Sequence, residues 1–478
     1  MDRRSLTPLR VAAVLFAVAA PLLFAAGCGQ REEGPPTPAR QIESRATADQ
    51  MRTGAERANL IIILIDAARP DHFGSFGYGR DATPRADRLF ADSVVFEQAY
   101  AQVPNTKASV SSLFTSQFPD THGVIGMHVA LPSDVPTLAE LLKKRGFHTA
   151  AFSANPFLSS EFGFARGFDE FHEVFREVGL APNRLGCVPA DLLLDKAVPW
   201  FREHAKERFF AYLHFLEPHK PYAPPPEFAR RYKAASEIER LTALYDGNLA
   251  YVDDAVGRLL TEIEGMGLFE NSLLVFMADH GEALGEHGHF GHVECVYQPT
   301  IQIPLSFRFP GPCGPPAGRR SEIISITDLM PTFLDLFGIA IPDTAQGSSR
   351  LAAIGGEEQP QDWYTVSRSR GTDTTGGLRN PREVIYAVTA PRYTLILGDL
   401  GNRIELYDRE ADPAQEHNIA EERADLVAEL QGRFETWAAT QRGRPVVLPG
   451  GKVFVSRAPR VEMSEDTRRQ LEALGYVE

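Results

Sequence analysis

Cysteine is scarce in this chain. There are four in 478 residues and no CxxC pair, which excludes a disulfide-dense scaffold and argues against a thiolate zinc site. Basic charge is also in deficit, with 49 Lys and Arg against 63 Asp and Glu and a net charge of -14. A nucleic-acid role therefore has no electrostatic support, and charge-driven docking on an anionic membrane is disfavoured. No internal repeat is present. What remains, 43% hydrophobic and 23% charged, is the composition of an ordinary globular protein. Its length allows two to three domain-sized units.

The N-terminus reads as an export signal. Arg3, Arg4 and Arg10 precede an apolar run over residues 11–26, which ends at Gly27-Cys28. Small residues directly before Cys28 predict a bacterial lipoprotein, with residues 1–27 removed and Cys28 lipidated. Ala25 departs from that pattern, and an uncleaved anchor or simple secretion are the alternatives. Each places the protein outside the cytoplasm, in the lipid-anchored case at the cell envelope. Cys187, Cys295 and Cys313 then leave room for at most one bridge, which the sequence does not assign. Residues 28–57, polar and carrying Pro35, Pro36 and Pro38, read as a flexible tether.

From residue 58 to 341 apolar strand runs alternate with helical patterns, notably strands at 59–65, 147–152, 209–215 and 272–278 and a long helix at 237–264. This predicts an α/β domain, a mostly parallel sheet with helices on both faces. From 342 to 478 hairpin-spaced strands and one helix at 424–440 predict a small α+β subdomain. The segments 170–186 and 347–377 read as loops around a pocket.

Two strand runs stop on chemistry. One ends at Asp66, the other at Asp279-His280. In open α/β sheets the carboxyl ends of strands are where ligands bind. An acid with an imidazole suits zinc or manganese, although a polar turn would read the same way. Thr106 opens a helical segment, where the positive end of the helix dipole favours an alkoxide or a bound oxyanion. An ordinary N-cap is the plain alternative.

The stretches NLIIILIDAARPDHFGSFGYGRDATPRADRLFADSVVFEQAYA, TKASVSSLFTSQFPDTHGV, HFLEPHKPYAPP, DHGEALGEHGHFGH, TDLMPTFLDLFG, IELYDREADPAQEHN and the ending LEALGYVE occur in that order. With them the chain resembles the sulfatase family of the alkaline phosphatase superfamily, from Asn59 to the C-terminus. The resemblance implies an alkaline phosphatase-like fold and an ester hydrolase with one divalent ion (calcium, manganese or zinc) on Asp66, Asp279 and His280. It places His219 and His292 at the ester or leaving oxygen, as catalytic and substrate-binding residues, and Lys107 as an anion contact.

Three departures qualify the resemblance. Ala67 stands where a second acid is usual. Ser153-Ala154-Asn155-Pro156 replaces a Lys-x-His pair. Thr106, followed by Lys107, Ala108, Ser109 and Val110, occupies the position of the residue that becomes formylglycine. Threonine carries an extra methyl on Cβ and cannot yield that aldehyde, so no formylglycine is expected and Thr106 itself is the expected nucleophile. Substrates implied are sulfate or phosphate esters, glycan-derived ones among them, with membrane contact only through Cys28. A phospho-group transferase acting on envelope glycan or lipid, and a non-catalytic glycan-binding lipoprotein, are the competing readings.

Overall fold

The computed structural model describes residues 46–177, 188–292, 294–311, 314–357, 360, 362–371, 383–398, 403–441 and 458–473. The export signal, Cys28, Cys187 and Cys313 lie outside them. The main sheet has eight strands: β1 Asn59–Ile65, β2 Val94–Tyr100, β3 His148–Ser153, β4 Glu170–Glu173, β5 Phe209–Phe215, β6 Ser272–Ala278, β7 Gln302–Arg308 and β8 Gly318–Ser325. Their spatial order is β8-β2-β7-β6-β1-β5-β3-β4. Every pairing is parallel except those of β7, which runs antiparallel to both β2 and β6.

Every residue of β1, β5 and β6 is buried. Continuous apolar runs such as NLIIILI, without alternation, form strands covered on both faces. Two groups of helices provide the cover. Pro84–Ala91, Ala190–His204 and Glu237–Gly265 pack on one another, as do Thr106–Thr115, Leu138–Lys144 and Ile326–Leu336. With β1 and β6 in register from Asn59↔Ser272 to Ile65↔Ala278, Asp66 and Asp279 emerge side by side at the carboxyl edge.

A second, antiparallel sheet follows: β9 Thr365–Gly371, β10 Glu383–Thr389, β11 Tyr393–Gly398 and β12 Ile404–Asp408. The helix Ala424–Thr440 seats Leu430, Phe434 and Trp437 against it. This is the small C-terminal α+β region that the hairpin spacing predicts.

Three expectations need correction. The tether does not extend to residue 57: Ala48–Ala55 is a helix, with a Thr47–Gln50 capping box and with Met51 and Ala55 in the core. Glu170–Glu173 is an edge strand rather than loop, paired with β3. The supposed loop at 347–377 contains the short helix Leu351–Ile354 and β9. In each case the segment is short or mostly polar, and its order comes from partners distant in the chain.

Candidate active site

Asp66 is fully buried, and one of its oxygens is saturated. Oδ2 accepts from Asn155 Nδ2 at 2.7 Å and lies 3.0 Å from His214 Nε2 and 3.4 Å from Thr106 Oγ1. Asp279 is arranged likewise: its Oδ1 accepts from the backbone N–H groups of Ala67 (3.2 Å) and His280 (3.0 Å). The remaining oxygens, Asp66 Oδ1 and Asp279 Oδ2, are buried without a hydrogen-bond partner. His280 Nε2 stands 3.7 Å from the first and 3.5 Å from the second. Its Nδ1 is 2.8 Å from Gly281 O, so the proton sits on Nδ1 and the Nε2 lone pair faces the carboxylates.

Two buried carboxylates that each turn an unpartnered oxygen to the same cluster favour a cation between them. Desolvation, reinforced by Asp279, holds the Asp66 carboxyl well above the usual range. At His280, desolvation is opposed by Asp279 and Asp66, and the imidazole is raised. Two unsatisfied oxygens and one imidazole nitrogen facing a common point fit a divalent ion. His214, with Asp66 and Asp279, is a further group of metal-ligand type at the same point.

Thr106 is the first residue of its helix, capped by Asn105, whose side chain accepts from Ala108 N–H. Its hydroxyl stands 3.2 Å from His280 Nε2. Ser109 donates to Asp279 O at 2.6 Å and fastens the helix to the end of β6. The cap is therefore Asn105, not Thr106, whose hydroxyl is directed at the carboxylate–imidazole cluster. Four separated predictions, Asp66, Thr106, Asp279 and His280, meet at one place.

His292 and His219 adjoin them. The rings of His280 and His292 are 4.3 Å apart and those of His292 and His219 4.8 Å. His292 Nδ1 is 2.9 Å from buried Glu282. Desolvation lowers both His219 and His292 well below the ordinary histidine range, helped for His219 by His292 and for His292 by His280. Both are thus neutral near pH 7 in the free protein. As neutral rings they suit hydrogen bonding to ester oxygens.

Beside Thr106 opens a cleft of about 400 Å³, lined among others by Asn105, Lys107, Phe157, Lys220, His292 and Arg368. Lys107 lines it, but its ammonium donates to Met127 O at 2.6 Å and lies over the Phe162 ring. Burial pushes its amine down to about 7.

Sequence reasoning missed two residues here. Asn155 was counted only as the loss of a Lys-x-His contact, yet it anchors Asp66. His214 reads as core from its period-2 strand setting, yet it also contacts Asp66 and is held down to about 4 by burial. The only available signal was that β3 and β5 are polar at their carboxyl ends, like β1 and β6.

Fold and site together are those of an α/β ester hydrolase, with a group of residues able to hold a metal ion. The sulfatase family model matches residues 58–339, and that for the C-terminal region of N-sulphoglucosamine sulphohydrolase matches 285–440. The chain belongs to the sulfatase family. An arylsulfatase of Clostridium perfringens is 25% identical, over 79% of this chain and 95% of its own. An N-acetylglucosamine-6-O-sulfatase of Bacteroides thetaiotaomicron is 22% identical, over 80% and 86%. The solved phosphonate monoester hydrolase of Agrobacterium radiobacter superposes with a TM-score of 0.67 at 20% identity, covering 84% of this chain and all of the other.

Proposed function

We propose that the protein is an exported, metal-dependent hydrolase that cleaves phosphate-type or sulfate esters through a covalent intermediate on unmodified Thr106. The observation that carries this reading is the Thr106 hydroxyl, 3.2 Å from His280 Nε2 and 3.4 Å from Asp66, beside two unpartnered carboxylate oxygens. The donors are oxygen and imidazole nitrogen, which favours manganese or zinc over calcium.

When bound, the ion supplies Lewis acidity that polarises the ester and lowers the hydroxyl pKa. Asp66 and Asp279 offer Oδ1 and Oδ2 to it, His280 its Nε2. Thr106 Oγ attacks phosphorus, the P–O bond to the leaving alcohol breaks, and the proton given up by the Thr106 hydroxyl ends on that alcohol. Water then cleaves the Thr–O–P bond and restores the hydroxyl. His219 and His292 hydrogen-bond the ester oxygens, and Lys220 and Arg368 line the cleft with cationic side chains, Lys107 adding an amine at its wall. A threonyl sulfate has no aldehyde-hydrate route for expelling sulfate, so phosphate or phosphonate esters fit this nucleophile better. A glycan-derived ester and a lipid anchor at Cys28 complete the proposal.

The test is a panel of aryl phosphate, phosphonate, phosphodiester and sulfate esters with the manganese- or zinc-reconstituted protein. Thr106→Ala should lose at least ~10³-fold in kcat/KM, with Thr106→Ser partly active and a phosphothreonine adduct trapped on the wild type. Undiminished turnover by Thr106→Ala would sink the mechanism. Turnover of none of the esters by metal-loaded protein would favour the glycan-binding alternative.

A further inference from the structure

At the opposite end of β3 three histidines gather round one carboxylate. His148 begins β3, His204 ends the helix Ala190–His204, and Glu170 begins β4. Glu170 Oε1 accepts from Trp200 Nε1 at 2.7 Å and lies 3.2 Å from His148 Nε2. His172 Nε2 lies 3.4 Å from Glu170 Oε2. Glu207, on the turn into β5, brings Oε2 to 3.4 Å from His148 Nδ1.

The tautomers follow from these partners. An ionised carboxylate only accepts, so in the neutral ring the closer contact, the hydrogen bond to Glu170, takes the His148 proton on Nε2 and leaves Nδ1, 3.4 Å from Glu207, as the free donor atom. His204 Nδ1 lies 3.0 Å from Trp200 O, a carbonyl, so His204 is protonated there and presents Nε2. The two rings are 4.4 Å apart and inclined at 37°; His148 Nδ1 faces Glu207, while His204 Nε2 lies 3.8 Å from Glu170 Oε1. One donor atom from each of His148, His204 and Glu207 lies within 4.8 Å of the others. Tetrahedral zinc with bonds near 2.1 Å needs donors roughly 3.3 Å apart. The His148–Glu207 separation already matches, and small rotamer shifts would bring in His204.

We propose that His148 Nδ1, His204 Nε2 and the Glu207 carboxylate form a second metal site, for zinc or a similar borderline divalent ion, with water as fourth ligand. Glu170 and the Trp200 carbonyl orient the two imidazoles, in the manner of the outer partners of metal-bound histidines. Half-exposed His148 and exposed Glu207 leave the ion a route in from solvent. The strand β3 separates this site from Asn155 and the Thr106 cluster by roughly 20 Å, too far for a shared catalytic role. The ion ties the end of one helix to the starts of β3 and β5, a stabilising clip independent of the catalytic reading. The chain then binds two ions rather than the one that its sequence suggests.

The test is titration of the chelator-treated full chain with zinc by calorimetry, and with cobalt by its visible ligand-field bands. Wild type should take two equivalents. The double variant His148→Gln/Glu207→Gln alters only exposed or half-exposed side chains. It should take one, losing the tetrahedral cobalt bands of this site while keeping wild-type ester turnover. Circular dichroism of both metal-free proteins verifies that the variant is folded, and Glu207→Gln alone should weaken the second equivalent at least tenfold. Equal stoichiometry and equal cobalt spectra in wild type and double variant would overturn the proposal. They would mark the cluster as a protonated imidazole paired with Glu207.

Discussion

Asp66 works at the residue scale because its orientation is fixed. Asn155 and His214 occupy Oδ2, so Oδ1 faces the cluster. Removing such an outer partner typically costs 10–100-fold in metal affinity. Asn155→Ala should therefore weaken manganese or zinc binding at this site by about that factor, read by calorimetry, with little change in melting temperature of the metal-free protein. Gly281 explains why glycine follows Asp279-His280: a Cβ there would stand 2.1 Å from Pro299 O, against backbone. Gly281 N–H also donates to Thr300 O at 2.9 Å. Gly281→Ala should destabilise by about 1–3 kcal/mol, shift the His280 ring, and abolish turnover. Chemical denaturation with parallel rate measurements checks it; a variant as stable and active as wild type contradicts the close approach.

At the scale of elements, the segment after β5 carries a built-in pH response. Glu217 is fully buried and accepts from Ala190 N–H at 3.2 Å, while its Oε2 has no hydrogen-bond partner. Burial pushes its carboxyl up to about 8. The folded state thus holds a proton that the unfolded chain gives up near pH 4.5. A raised pKa contributes stability that is complete below the unfolded value and is lost as pH rises through the folded one. The loss is on the order of 4 kcal/mol between pH 4.5 and about 8. Glu217→Gln, neutral at every pH, should flatten that slope. Thermal melts at pH 5, 7 and 8.5 should show the variant gaining on wild type as pH rises, and parallel curves would refute it. The same segment carries His219, so its order and the site are coupled.

Over the whole molecule, residues 42–478 form one compact unit, and the second sheet is bonded to the first. Arg409 donates to Tyr100 Oη and Gln98 Oε1, Ser367 Oγ to Ala101 O at 2.6 Å, and Arg368 N–H to Gln102 O at 2.8 Å. These partners all lie at the end of β2 or just beyond it, a few residues before Thr106. A boundary near residue 342 therefore describes topology more than independence. Calorimetry of the metal-loaded protein should show a single unfolding transition, and a chain truncated after residue 341 should fail to fold. Two separated transitions would establish the boundary as a true domain division. The β9 residue Arg368, paired with Asp120 at 3.2 Å, lines the cleft beside Thr106, so the second sheet also shapes that cleft.

The sequence by itself determined the strands that carry the site, because buried parallel strands are unbroken apolar runs and their polar ends stand out. Asp66, Asp279 and His280 stand out for that reason, and Thr106 as the opening of a helix, aided by the family resemblance. It also carries the expectation of a departure at Thr106, since threonine cannot yield the usual aldehyde. Only tertiary structure decided which oxygen of each aspartate faces the cluster, that Asn155 and His214 brace it, and that His219 and His292 are neutral. Those properties depend on hydrogen bonds and burial between segments up to 212 residues apart, for which local sequence carries no signal. The second histidine cluster is of the same kind: His148, His204 and Glu207 are unremarkable in sequence, and the parallel register of β3 and β5 alone brings them together.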